Sequence, residues 1–225
     1  MNDMTTQFHC DALLFDLDGV LIDSTAAILR IWQSWANRHN VDIHDIERVA
    51  HGLRSVETIR LVAPNLNAEE EAELFFQQEL TDSEGVTAFD GALPLLTSLP
   101  EEAWAVVTSG RHELVKIRMG KAGLPVPRLL VTADDVKEGK PSPEPYLAGA
   151  RKAGVSPDRC LVVEDAPAGI QSAKAAGMRV VAIASTHNRD ILEKTGADLV
   201  LDRLADLQVK TGSNGVRLIA GTGGH

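Results

Sequence analysis

Cysteine is nearly missing from this sequence. Cys10 and Cys160 form no spaced framework of the kind that staples small secreted folds, and Cys160 opens an apolar run, where a small buried thiol is the plain expectation. Basic residues are also in short supply. Against 32 Asp and Glu stand 22 Lys and Arg, a formal net charge of -10, which argues against a nucleic-acid binder because such proteins neutralise phosphates with clustered cations. Long apolar runs are missing too: none approaches the ~18 residues of a membrane span, and the opening MNDMTTQFHC lacks a secretory signal pattern. These absences predict a cytoplasmic protein, acting as a monomer on small molecules, with neither nucleic acid nor membrane as partner. An anionic ligand would then need a local positive focus, such as a metal, a lysine or a helix N-terminus.

What is there is an ordinary globular composition, 44% hydrophobic and 24% charged over 225 residues, enough for one good core and a smaller second one. Six short apolar runs stand out: ALLF (12–15), WAVV (104–107), RLLVT (128–132), CLVV (160–163), RVVAI (179–183) and DLVL (198–201). They lack polar alternation, as strands buried on both faces do. Between them lie helical segments with clear punctuation. Pro167 can take a first helical turn closed by Gly177, and Pro143 or Pro145 one closed by Gly154. Strands alternating with helices predict an α/β fold, a doubly wound parallel sheet.

Residues 24 to about 90 break that rhythm. Ser24 is placed to cap a helix with Ile28, Ile31, Trp32 and Trp35 on one stripe, and Asn67 to cap another with Glu69, Glu70 and Glu71 in its first turn. Nothing there reads as a buried strand. The division predicted is a discontinuous core, 1–21 and 92–225, with a small four-helix cap at 22–91 leaving the sheet edge where ligands of such folds bind. Beyond 205, QVKTGSNGVRLIAG reads as a short hairpin turning at Asn214-Gly215, and GTGGH as a frayed end.

Four polar clusters fall at the C-terminal ends of predicted strands: Asp16 and Asp18 after ALLF; Thr108, Ser109 and Gly110 after WAVV; Lys140 beyond RLLVT; Glu164 and Asp165 after CLVV. Each alone is weak. A D-x-D is common in loops, TSG is usually a turn, and the set could be a network of strand-end carboxylates paired with Lys140. Placed together at one edge, several carboxylates call for a cation, and an all-oxygen site with room for water suits Mg²⁺. Its charge and Lys140 would hold an incoming phosphate, with the Thr108 hydroxyl and N–H groups near Ser109 and Gly110 adding hydrogen bonds. Asp16 is then the candidate nucleophile, attacking phosphorus to give an aspartyl phosphate. Asp18 is the candidate acid and base, and Gly19 lets the chain turn sharply beside it.

FDLDGVLIDS, VVTSG, DDVKEGKPSPEPY and VVEDAPAGIQSAKAAG resemble, in order, the four motifs of the haloacid dehalogenase superfamily across residues 12 to 177. Within it, the chain most resembles the glycerol-3-phosphate and 2-deoxyglucose-6-phosphate phosphatases, whose cap loop HGLRSVETI is similar to. The resemblance implies a Rossmann-like core with a helical cap, Asp16 as nucleophile, Asp18 as acid/base, and Thr108 and Lys140 on the phosphoryl group. It implies Mg²⁺ held by the Asp16 side chain, the Asp18 carbonyl and Asp165, with Glu164 nearby. The activity expected is hydrolysis of a small sugar or polyol phosphate. A phosphomutase of the β-phosphoglucomutase kind is the nearest alternative, and a non-enzymatic receiver domain, whose phosphorylated Asp follows a later strand, a distant one. In the cap, His51 and Arg54 are candidates for substrate contact, although Arg54 could equally be a solvated charge before a helix.

Overall fold

The computed structural model describes residues 6–212 and 215–220. The chain starts with β1 (Thr6–Cys10), β2 (Ala12–Phe15) and the two-residue β3 (Ile22–Asp23). Four helices follow, α1 (Thr25–His39), α2 (Ile43–Glu47), α3 (Ser55–Val62) and α4 (Ala68–Thr81), before β4 (Thr87–Ala88) returns antiparallel to β3. Helices and strands then alternate: α5 (Ala92–Ser98), β5 (Trp104–Val107), α6 (His112–Lys121), β6 (Leu129–Val131), α7 (Glu144–Ala153), β7 (Cys160–Glu164), α8 (Pro167–Ala175), β8 (Arg179–Ile183), α9 (Arg189–Thr195) and β9 (Leu199–Leu201). A hairpin of β10 (Leu207–Gly212) and β11 (Gly215–Ala220) follows.

Each of the six apolar runs is a strand of one parallel sheet, ordered β6-β5-β2-β7-β8-β9. Successive side chains of a strand point to opposite faces, so Leu13, Phe15, Val106 and Val163 enter one core while Leu14, Ala105, Val107 and Val162 enter another. The order reverses beside β2, whose neighbours β5 and β7 both come later in the chain. A crevice opens there, beyond the strand ends.

The four helices between β3 and β4 have their own apolar centre, in which Trp32, Trp35, Ile46, Ile59 and Phe75 are buried. Asn67 accepts from Glu70 N as a cap should, and Gly154 and Gly177 take left-handed φ of +69° and +77° past their helices. Ser24 differs. It precedes α1, but its hydroxyl makes no capping bond and is directed to Asp18 instead. The β3–β4 ribbon is too short for any alternation to announce it. The hairpin is present, with Gly212 opposite Gly215, and β1 joins it in a three-stranded sheet. The expected turn residue Asn214 and the GTGGH end lie outside the described residues.

Cys10 and Cys160 are free and buried, and burial pushes their thiols up to about 12 and about 11, which keeps them unreactive. Among the described residues no helix is long and apolar enough to cross a membrane.

Candidate active site

Asp16 leaves β2 at the crevice, its N–H still bonded to Val163 O of β7. Its Oδ1 accepts from Lys140 Nζ at 2.7 Å, and the same ammonium donates to Glu164 Oε1 at 2.6 Å. Lys140 is 1% exposed and Glu164 fully buried. The Tyr146 hydroxyl also donates to Glu164 Oε1, while Oε2 accepts from the N–H groups of Asp165 and Ala166. Four donors fill the roughly four acceptor positions of that carboxylate. Glu164 is thereby an anchor for Lys140 with no oxygen left over. Asp165 is different: Thr186 donates to Oδ2, but Oδ1 is buried without a partner.

Oxygens of Asp16, Glu164 and Asp165 all lie within 4.8 Å of one another. Three carboxylates therefore share a single ammonium in a dry place. Burial pushes Asp16 up to about 7, against the pull of Lys140, and burial together with the charges of Glu164 and Asp16 drives Asp165 well above the usual carboxylate range. Burial opposes the charge of Lys140, yet Asp16 and Glu164 outweigh it and lift its pKa. The surplus negative charge and the orphaned Asp165 Oδ1 fit a hard divalent cation, for which Asp16 and Asp165 have oxygens to offer.

Asp18 stands apart from that cluster. Its Oδ1 accepts from Ser24 Oγ at 2.6 Å and from Arg118 Nη1 at 2.8 Å. Arg118, on α6, is 4% exposed and also donates to Glu79 of α4 at 2.9 Å, so the proposed acid/base is tied through one arginine to the inserted helices. Gly19 makes this turn feasible: its φ is +90°, and a Cβ there would lie 2.2 Å from Asp165 Oδ2.

The other predicted residues divide. Thr108 is buried at the crevice, and its hydroxyl oxygen accepts from Gly110 N, which leaves the hydroxyl proton for an acceptor and removes the Gly110 N–H from the expected phosphate donors. Ser109 spends its hydroxyl on Gly52 O at 2.7 Å, joining the strand-end loop to the inserted segment. Lys140 lies beneath Asp16 and is not part of the cavity wall, so in this arrangement its work is to hold the carboxylate. His51 lines the cavity, edge-on to His187 at 5.2 Å between ring centroids, and burial followed by His187 lowers its pKa. Arg54 does neither thing expected of it. It pairs with Glu57 and donates to Lys137 O, clamping α3 to the loop that carries Lys140, away from the cavity wall.

Sequence reasoning missed Arg118, Glu79, Thr186 and Tyr146. For Arg118 a signal exists: it shares the inward face of α6 with Leu114, Val115 and Met119, and a charge on an apolar stripe needs a partner. Thr186 follows β8 at the same edge as the other clusters.

The cavity between crevice and helices encloses about 140 Å³, room for roughly ten waters, which suits a small ester. A doubly wound α/β sheet with buried carboxylates gathered at the end of β2, beside inserted helices, fits a hydrolase of the phosphoryl-transfer type. The chain belongs to the haloacid dehalogenase-like hydrolases, whose family model matches residues 13–183. It is similar to Hexitol phosphatase A of Escherichia coli, 41% identical over 92% of this chain and 97% of that one. It is also similar to Glycerol-1-phosphate phosphohydrolase 2 of Saccharomyces cerevisiae, at 35% over 88% of this chain and 84% of the other. Among solved structures, a putative beta-phosphoglucomutase from Bacteroides vulgatus superposes with a TM-score of 0.74 at 32% identity, covering 88% of this chain and 86% of that one.

Proposed function

We propose that this enzyme is a Mg²⁺-dependent phosphatase of small sugar or polyol phosphates, with residues 22–91 as a cap over a core of 1–21 and 92–225. The observation that carries the reading is the buried carboxylate set, Asp16 held by Lys140 beside an Asp165 with a spare oxygen, opening into a cavity of small-ester size. The names of the two phosphatase relatives support it.

Lys140 fixes one oxygen of Asp16, so the other can attack phosphorus. The P–O bond to the leaving group breaks, and Asp18, having taken a proton from solvent on Oδ2 while Oδ1 stays with Arg118 and Ser24, gives that proton to the leaving oxygen. Asp18 then takes a proton from water, which attacks the aspartyl phosphate and frees inorganic phosphate and Asp16. The Thr108 hydroxyl donates to a phosphoryl oxygen throughout. The bound ion would supply positive charge to phosphoryl oxygens and to the clustered carboxylates. Glu164 and Tyr146 keep Lys140 charged and in place. The reading extends to a cytoplasmic monomer, in keeping with two free, buried thiols.

The test is phosphate release from glycerol and hexitol phosphates. Asp16→Asn and Asp18→Asn are each expected to lower kcat by about 10³-fold or more, and chelation to stop turnover. A hexose 1-phosphate should yield phosphate and no isomer; rapid isomer formation without phosphate would favour the mutase. Wild-type rates in either variant would defeat the proposal.

A further inference from the structure

The inward face of α3 carries a group that the hydrolytic steps leave idle. Thr58 is 1% exposed and lines the cavity, and its hydroxyl has no hydrogen-bond partner, not even a carbonyl of its own helix. Burying a hydroxyl unpaired is unfavourable, and valine would fill the same space without that penalty. A second observation concerns charge. The two arginines of the cavity wall are both already neutralised, Arg118 by Asp18 and Glu79, Arg111 by Glu73 and Asp134. Burial holds His51, the wall's histidine, below its usual pKa, so it adds no dependable charge. Among the described residues lining the cavity, no cation remains to receive a second anionic group.

We infer that Thr58 is a specificity residue which hydrogen-bonds a carbon-bound hydroxyl of the leaving group, and that this group is an uncharged polyol. The inference rests on the phosphatase reading and refines it. Glu79, also in the wall, can accept from a further hydroxyl. A bisphosphate or a carboxylate-bearing ester would bring a negative charge against Glu47 and Glu79 with nothing to pair it. The same argument disfavours a mutase, whose intermediate must carry two phosphoryl groups in one cavity.

The experiment compares kcat/KM for glycerol phosphate, n-propyl phosphate and propane-1,3-diol bisphosphate. Wild type should prefer glycerol phosphate over propyl phosphate, and Thr58→Val should reduce that ratio about tenfold, the worth of one neutral hydrogen bond. Thr58→Ser, which keeps the hydroxyl, should retain the ratio. The bisphosphate should be at least about 100-fold poorer than glycerol phosphate. Equal wild-type values for glycerol and propyl phosphates, an unchanged ratio in Thr58→Val, or a bisphosphate as good as the monoester would each overturn the inference while the phosphatase reading stands. Failure of wild type to release phosphate from any ester would sink both.

Discussion

At Gly19 two demands meet in one residue. The left-handed φ of +90° favours glycine, and the space a side chain would need is already filled by the Asp165 carboxylate. Gly19→Ala is therefore expected to displace Asp165 and lower kcat/KM by about 100-fold or more, since an ångström of misplacement can have that effect. Titration calorimetry should show Mg²⁺ affinity falling with it. Unaltered metal binding would mean that Asp165 is not a ligand. Gly169 is held by similar crowding, because a Cβ there would overlap Glu164 Oε1 at 1.6 Å. A different outcome is expected at that position: Gly169→Ala should act through Lys140 and Glu164, destabilising the fold before it affects the metal. Denaturant titration measures it, and a loss of about 3–5 kcal/mol corresponds to breaking a buried charge pair. Asp16 and Asp165 were legible in the sequence because each directly follows an apolar run whose strand character fixes where it must emerge; Lys140, well beyond β6, was readable as a neighbour of the same edge but not as the partner of Asp16 and Glu164. Arg118 and Thr58 were not, because what matters about them is the partner they have or lack across the fold, and spacing carries no such information.

The inserted helices form an element with its own interior. Trp32 packs against Phe75 at 4.1 Å and edge-on to Trp35 at 5.6 Å between ring centroids. Polar links bind it to the core at separate points: Arg118 to Glu79, Arg111 to Glu73, Arg54 to Lys137 O and Ser109 to Gly52 O. Phe75→Ala is expected to remove about 3–5 kcal/mol from this cluster. Because the cluster is distinct from the two cores of the sheet, the loss should be local. Hydrogen exchange should accelerate in α1 to α4 while amides of β2, β5 and β7 stay protected. Uniform acceleration would show that the inserted helices and the sheet unfold as one. The helices themselves were readable from stripes and caps, Asn67 correctly so. The β3–β4 ribbon was not, since two residues hold no periodicity, and neither was Ser24, whose hydroxyl had a better use than capping.

Across the whole molecule the formal charge of -10 gathers partly inward. Burial raises Asp16 and Glu79 to about 7 from 3.8 and 4.5, and Asp165 too lies well above its ordinary 3.8. Between those ordinary values and about pH 7 the folded protein holds more protons than the unfolded chain, so stability is greatest at low pH within this window and falls as pH rises. His51 and His187, which burial lowers from 6.5, oppose this trend in part, and the three raised carboxylates outnumber them; Glu164 and Lys140 do not counter it. The lowered pKa of Glu164 acts below its ordinary 4.5 and the raised one of Lys140 above its ordinary 10.5. The metal-free protein should accordingly melt at a lower temperature at about pH 7.5 than at about pH 5.5. Saturating Mg²⁺ should remove the difference by favouring ionised Asp16 and Asp165, and Asp16→Asn should shrink it. A melting temperature that climbs with pH in chelator would contradict the buried carboxylate cluster.

Of the three tryptophans, Trp104 sits in the sheet against Phe15 and Trp35 lies among the inserted helices, while Trp32 forms part of the cavity wall. An indole placed there has its surroundings changed whenever the chamber fills. The protein thus carries a native optical gauge, and its emission can follow occupancy by a silent, colourless ester without any label.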